Sequence, residues 1–439
     1  MAFFSRTVFL RTLLLSLFVI SLNGLAKDSP KNYKEKQTKA LRAPVYEALM
    51  EAQELQQAGK NKDAIKILDK LKKRSGKRAL QAHEWVQLYN FYAYVYLGME
   101  NYDQAIKYFE KVLKEKELTL GLARQTKYTL AQLYISQGNP KKGVEVLEDW
   151  FDITDKFTPD AYVLLAQAYL QNKQMDNALA PLKKAFALAK EQGKPEKENW
   201  YSLLQYIYAE KKDYKKQRDA LEVLVNRWPK KNYWLALVGV YSELEQEKEQ
   251  LFAMKSAYIQ GMLDREPYIV TLAQMLAAEG IPYEAAKVME KGFKDKLVEE
   301  SEKNLERVAD YWRRSQEVKR AIPYQVRAAK MAASGEASLR LAGMYLTDMD
   351  ETKAVDAIQQ ALKKGDLRNP LDAQMLLGQA AFQAKRFSEA KKAFAQVAKA
   401  ASKDPKSDKS KRLAKTAKNW QHYIDNEIKR QAQLKKYLG

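Results

Sequence analysis

The amino-acid sequence predicts an all-α fold, a right-handed superhelical solenoid of about ten helix-turn-helix units closed by a C-terminal capping helix. Glycine and proline are scarce, at 17 and 12 of 439 residues, so few positions can break a helix. A pattern of small and large apolar residues also recurs along the chain with a near-constant period. Hydrophobic residues make up 46% of the chain and aromatic residues 11%, which is enough to bury a core.

The first 26 residues have the features of a secretory signal peptide. Arg6 and Arg11 precede the apolar run Thr12–Leu22, and Gly24 and Ala26 supply the small residues that signal peptidase requires. The uninterrupted apolar core is about ten residues long, half of what spans a bilayer. This length favours a cleaved signal over a retained membrane anchor. We therefore expect cleavage after Ala26, export to the periplasm, and a basic lead segment over residues 27–42.

Residues 43–400 contain the repeat, and successive units lie 33 to 41 residues apart. Each unit has two small residues twelve positions apart, an aromatic or other large residue three positions after the first, and a large apolar residue four positions after the second. The first small positions are Ala52, Ala93, Ala131, Ala166, Gln205, Val238, Ala273, Ala309, Ala342 and Gly378. The second small positions are Ala64, Ala105, Gly143, Ala178, Gln217, Gln250, Ala285, Ala321, Ala354 and Ala390.

These residue types suit a pair of antiparallel helices. Small side chains at the crossing let the helix axes approach to about 8 to 10 Å, and the larger residues fill the groove on either side. Five positions depart from the pattern, and we expect less regular packing or a local kink there. They are Gln205, Gln217, Val238, Gln250 and Gln325.

On this pattern the chain resembles the tetratricopeptide-repeat (TPR) family from about residue 43 to 400. Three stretches, which are residues 198–216, Trp228–Leu237 and Pro282–Gly292, are similar to periplasmic members found alongside TonB, ExbB and ExbD energy-transduction systems in gammaproteobacteria. That resemblance implies an accessory role in TonB-dependent uptake of iron chelates or other large nutrients, with TonB, ExbB or ExbD components as partners. A second hypothesis is a scaffold for outer-membrane assembly, secretion or exopolysaccharide export.

The sequence offers no catalytic or cofactor-binding constellation. There is no cysteine, and the two histidines, His83 and His422, lie more than three hundred residues apart. The sequence therefore does not contain the residues that a thiolate nucleophile, a zinc site or a disulfide framework would need. Neither a phosphate-binding glycine loop nor a serine nucleophile elbow is present. We predict a protein that is not an enzyme and that has no cofactor and no metal.

Recognition is the function that remains, and the concave face of such an array is lined by the first helix of each unit. The repeat register predicts a binding groove formed by Asn90, Tyr94, Tyr128, Gln132, Gln167, Gln171 and Tyr206. Amide side chains can pair with both the donors and the acceptors of a peptide backbone. The alternative is that the tyrosines simply pack between repeats. The register places no Lys–Asn carboxylate clamp on these helices, which disfavours a chaperone-tail co-adaptor.

The basic charge is confined to a few segments. The formal net charge is +21, and the excess lies in residues 27–42 (six basic, two acidic), 60–78 (nine and two) and 399–439 (twelve and four). The last of these belongs to the capping segment 401–439, which is predicted as a helix over residues 406–438. Basic ends favour peripheral contact with an anionic membrane surface or with an acidic partner over nucleic acid, since an exported chain seldom meets nucleic acid. Simple solvation of the helix faces is the alternative.

Overall fold

The computed structural model describes residues 36, 38–402 and 407–438, with side chains as far as Leu434. The predicted signal peptide and most of the lead segment lie outside the described residues. The described residues form 21 α-helices and one short 3-10 helix, Gly76–Arg78, and contain no strand. None of these helices is long and apolar enough to cross a membrane.

The chain divides into two compact units, and unit 1 ends at Trp228. Unit 1 contains five helix pairs, and in each pair the first and second helices pack along each other. Its helices are α1 Ala43–Gln57, α2 Asn61–Lys72, α3 Ala82–Gly98, α4 Tyr102–Lys114, α5 Leu120–Ser136, α6 Pro140–Ile153, α7 Pro159–Gln171, α8 Met175–Glu191, α9 Glu198–Glu210 and α10 Tyr214–Arg227.

Unit 2 begins at Pro229 and contains five more pairs and one longer helix. Its helices are α11 Lys231–Glu243, α12 Glu247–Ile259, α13 Glu266–Ala278, α14 Pro282–Lys294, α15 Glu302–Arg314, α16 Val318–Met331, α17 Glu336–Thr347, α18 Glu351–Lys364, α19 Pro370–Gln383, α20 Phe387–Ala401 and α21 Asp408–Leu438. Within each unit the second helix of a pair packs on the first helix of the next. This arrangement confirms the predicted helical solenoid.

The turn inside every pair is closed in the same way. Each contains one residue in the left-handed region, and the N–H of the residue that follows it donates to the carbonyl of the residue three positions after the first small residue. In the first pair Gly59 has φ +73° and Lys60 N–H donates to Leu55 O at 2.8 Å. This six-residue closure satisfies a carbonyl that the end of the helix would otherwise leave unpaired. Glycine holds the left-handed position in three turns, whereas the other seven use Glu100, Lys173, Lys212, Glu245, Gln316, Met349 and Lys385.

The small residues lie in the core as predicted. Eight of the ten first positions are buried, as are nine of the ten second positions, and the large apolar position of every repeat is at most 2% exposed. At the α9–α10 crossing, Gln217 Nε2 donates to Gln205 Oε1 at 3.4 Å, so the two amides pair where other repeats have two small residues. Buried Gln325 donates to the carbonyl of Ala337 at 2.9 Å. Paired amides are tolerated in a core because both partners keep a hydrogen bond, and α9 and α10 each run without a break.

Helix α21 covers the last pair, in agreement with the predicted capping helix. Ala417 and Ile424 are fully buried against that pair. The ring of Trp420 stacks on Phe394, with 5.4 Å between centroids and 7° between planes. A terminal repeat needs such a cover because its apolar face has no following repeat.

Candidate binding surface on the first helices

The first helices of unit 1 form one layer. Helix α1 contacts α3, and α5 contacts α7, whereas no two successive second helices make comparable contact among the described residues. Two side chains tie the layer together through Tyr94 on α3: Gln56 Nε2 donates to its carbonyl at 3.1 Å, and Gln125 Nε2 donates to its hydroxyl at 2.9 Å. This closeness places the first helices on the tighter, inner side of the unit's curvature.

Three of the predicted groove residues take part in packing. Asn90 is only 3% exposed, because α3 is covered on both sides by neighbouring helices, and its Oδ1 has no hydrogen-bond partner among the described residues. The Tyr94 ring meets Phe109 edge-on at 5.3 Å, and burial raises the pKa of its hydroxyl. The Tyr128 ring lies 5.1 Å from Trp150, and burial, with the charge of Asp160, raises its pKa to about 12. For these two tyrosines the structure shows the packing contacts of the alternative interpretation.

The other four predicted residues remain accessible on consecutive first helices. Gln132 on α5 and Gln167 on α7 are half-buried, and Gln171 at the end of α7 is exposed. Tyr206 on α9 is 39% exposed, and partial burial with the nearby Glu210 raises its pKa. The three glutamines have no hydrogen-bond partner among the described residues, so their amides are available to a ligand.

A cavity at the start of this layer was not predicted. It has a volume of about 210 Å³ and lies between α1, α3 and α5. Its lining includes Tyr46, Met50, Gln87, Phe91, Thr119 and Leu122. The ion pair of Lys39 with Glu117, at 3.0 Å, lies at its edge. An aromatic and aliphatic lining with a few polar groups is suited to an apolar side chain.

The repeat register contains the signal that would have found this region. Tyr46, Gln87 and Gln125 each stand six positions before the first small residue of their repeat, and Tyr46 is 51% exposed. We call seven accessible amide and tyrosine residues of this layer the first-helix face. It consists of Tyr46, Gln87, Gln125, Gln132, Gln167, Gln171 and Tyr206.

The basic charge of unit 1 lies elsewhere. In segment 60–78 the exposed lysines Lys62, Lys66, Lys70 and Lys73 are on or directly after α2, a second helix. On α4, another second helix, burial and the charges of Lys72 and Lys107 lower the pKa of Lys111. The basic residues of segment 60–78 therefore lie on or directly after a second helix, whereas the first-helix face consists of amide and tyrosine side chains.

The corresponding helices of unit 2 carry charged side chains instead. Between α15 and α17 lies a cavity of about 410 Å³, lined in part by two Arg–carboxylate pairs. Arg313 contacts Asp310 at 2.6 Å, and Arg340 of α17 contacts Glu306 of α15. Among the described residues no three His, Cys, Asp or Glu side chains are grouped as a metal site would require.

Comparisons with known proteins support the repeat assignment. Residues 98–185 match the family model described as anaphase-promoting complex, cyclosome, subunit 3, and residues 352–405 match a tetratricopeptide-repeat model. These matches support the TPR family, whose arrays typically are non-enzymatic scaffolds that bind other proteins. A search of the curated proteins finds no match.

Several solved structures are similar to parts of the chain. A MamA protein is 21% identical with a TM-score of 0.35, over 40% of this chain and 90% of that one. The TPR2AB domain of yeast Sti1, solved in complex with pHSP90, is 14% identical with a TM-score of 0.36, over 60% and 99%. MamA from Desulfovibrio magneticus RS-1 is 18% identical with a TM-score of 0.34, over 43% and 96%.

Proposed function

We propose that this tetratricopeptide-repeat chain is a non-catalytic periplasmic scaffold, and that it holds an extended segment of another envelope protein on the first-helix face of unit 1. The observation that carries the proposal is the row of accessible amide side chains on α5 and α7, which continues to Tyr206 on α9. The cavity between α1, α3 and α5 lies at one end of this row.

The chemistry of the face fits an uncharged peptide segment. Each glutamine offers two donors and one acceptor oxygen, so it can pair with a backbone N–H or C=O of any sequence. The cavity of about 210 Å³ has room for one apolar side chain, which would anchor the segment and fix its register. Because the face itself carries few charges, we expect binding to depend weakly on ionic strength.

The proposed cellular role is that of an accessory component of a TonB-type transport system for iron chelates or other large nutrients. Two features of the sequence support this role: the predicted export signal before Lys27 and the resemblance of three stretches to periplasmic proteins of TonB, ExbB and ExbD systems. The proposed partner is a component of that system, and the basic segments at the ends of the array are proposed to contact an anionic membrane surface.

The test is in-cell cross-linking followed by identification of the captured protein. We expect the wild-type chain to capture TonB, ExbB or ExbD, and the double variant Gln132→Ala with Gln167→Ala to lose most of that product. The matched control, Gln104→Ala with Asn177→Ala, removes two amides from second helices and should retain it. Unchanged capture by the first variant would contradict the proposed face.

Growth of a deletion strain tests the cellular role separately. We expect impaired growth when iron is supplied only as chelates that need TonB. Normal growth, together with capture of an outer-membrane assembly, secretion or polysaccharide-export component, would replace the TonB assignment with the second hypothesis.

A further inference from the structure

Helix α21 is much longer than the pair it covers. It has 31 residues, whereas the other α-helices have 12 to 17. Its contacts with α20 include the burial of Ile424 and an ion pair between Lys391 and Asp425 at 2.7 Å. The thirteen residues that follow, Asn426–Leu438, add about 20 Å of helix at 1.5 Å per residue. We call residues 426–438 the distal segment.

The apolar stripe that seals the last pair continues into the distal segment. Leu434 and Gln431 lie four and seven residues before Leu438, and Ile428 follows Ile424 by one turn, so the stripe keeps the helical spacing. Ile428 and Leu434 are each 42% exposed. An apolar helix face that stays this open commonly marks a contact with a partner.

The centre of this stripe is polar, which distinguishes between possible partners. Glu427 accepts hydrogen bonds from Arg430 at 2.7 Å and from Gln431 at 3.0 Å. These bonds lower the pKa of its carboxyl to about 2, so the group stays ionised. A carboxylate is costly to bury in the apolar part of a membrane. Between two helices, a single polar layer is common and fixes their register.

We propose that the distal segment pairs in antiparallel fashion with the same segment of a second copy, about a twofold axis at Gln431. In this register Ile428 faces Leu434 of the partner subunit, and Gln431 faces the partner's Gln431, where two amides can bond to each other. The segment is thus self-complementary, as an isologous contact requires.

Self-association is tested with the mature chain by sedimentation equilibrium. We expect a concentration-dependent dimer. Leu434→Asp should weaken it by about tenfold or more, because the twofold contact buries this side chain twice. Gln433→Asp adds the same charge at an exposed position on the opposite side of the helix and should keep the dimer. Circular dichroism checks that both variants fold. We expect that they do, because both substituted positions are exposed.

A strictly monomeric chain, or equal dimerisation of the two variants, would overturn the proposal. So would binding of the monomer to vesicles of anionic lipid that Leu434→Asp alone abolishes, because that result would assign the stripe to a membrane.

The absence of cysteine from the sequence allows an unambiguous test of the register. Under mild oxidation we expect Gln431→Cys to form a disulfide-linked dimer, and Gln433→Cys, on the opposite side of the helix, to form little. Ile428→Cys and Leu434→Cys should cross-link efficiently only when the two variants are mixed. Efficient cross-linking of each variant with itself would indicate a parallel pair and would overturn the antiparallel register.

Discussion

The ion pair of Arg42 with Glu84 joins the end of the lead segment to helix α3, and it yields a prediction about stability. The Glu84 side chain is fully buried, whereas Arg42 is 35% exposed. Arg42 donates from Nε to Oε1 at 2.9 Å and from Nη2 to Oε2 at 2.5 Å, and the Gln81 backbone N–H donates to Oε2 at 2.8 Å. A carboxylate held by three such bonds is strongly stabilised in its charged form.

The pKa of Glu84 gives the magnitude. Arg42 and the backbone bonds hold it at about 2, below the ordinary value of 4.5 and against the opposing effect of burial. A shift of this size corresponds to roughly 3 kcal/mol. Because water reaches part of Arg42 and weakens the pair, we expect Glu84→Gln to cost about 2 kcal/mol of unfolding free energy.

Chemical denaturation followed by circular dichroism measures this cost, and hydrogen exchange localises it to α1 and α3. Asp63→Asn removes an exposed ion pair with Lys66 on α2 and should leave the unfolding free energy unchanged. Equal stabilities of Glu84→Gln and Asp63→Asn would refute the reasoning.

The same pair predicts how the stability depends on pH. A carboxyl whose pKa is lower in the folded state stabilises the fold above its unfolded pKa, and it loses that contribution as the pH falls through the folded value. The Glu84 contribution should therefore be complete above about pH 4.5 and disappear towards about pH 2. The difference between wild type and Glu84→Gln should shrink over this range. A difference independent of pH would contradict the assignment to an ionised Glu84.

Two further predictions concern glycine and the helix turns. A Cβ at Gly378 would lie 2.6 Å from ring atoms of Phe394, so Gly378→Ala should lose about 1 to 3 kcal/mol. A Cβ at Gly343 would meet nothing within 4 Å, so Gly343→Ala should gain about 0.5 to 1 kcal/mol from helix propensity; equal effects in thermal unfolding would contradict this contrast. Met349 has φ +59° and is 81% exposed, so Met349→Gly should raise the melting temperature by relieving about 1 kcal/mol of strain. A lower melting temperature would show that the turn carries no such strain.

The repeat could be predicted from the sequence because side chains of similar volume recur at the same few positions of each unit. In most repeats a small residue stands at the helix crossing and a large apolar residue four positions after it, and Leu68 and Phe109 are fully buried as this packing requires. The pattern did not predict the pairing of Gln217 with Gln205, because it treats each small position separately, whereas here two amides at one crossing share a hydrogen bond.

The candidate site was predicted only in part, since accessibility depends on the neighbouring repeats. Asn90 and Tyr128 each lie three positions before the first small residue of their repeat, yet Asn90 is buried by the helices around α3 and Tyr128 is only half-buried. The cavity beside Tyr46 is formed by three helices from three repeats, so no single repeat predicts it, and only the shared register of Tyr46, Gln87 and Gln125 across repeats indicates the region. Likewise, the sequence does not mark the seven turns whose left-handed residue is not glycine. Their conformation is set by the hydrogen bond that closes the turn and not by a turn-forming residue.

The central claim is that a partner lies on the first-helix face of unit 1, and site-specific photo-cross-linking tests it most directly. A photoreactive phenylalanine would replace Tyr206 on α9 or, as a matched control, Tyr214 at the start of α10, the second helix of the same pair. Both tyrosines are partly exposed, so the two probes are comparable in access. The proposed function predicts a cross-linked envelope protein from position 206 and none from position 214. Cross-linking from position 214 alone would place the partner on the second helices and contradict the claim.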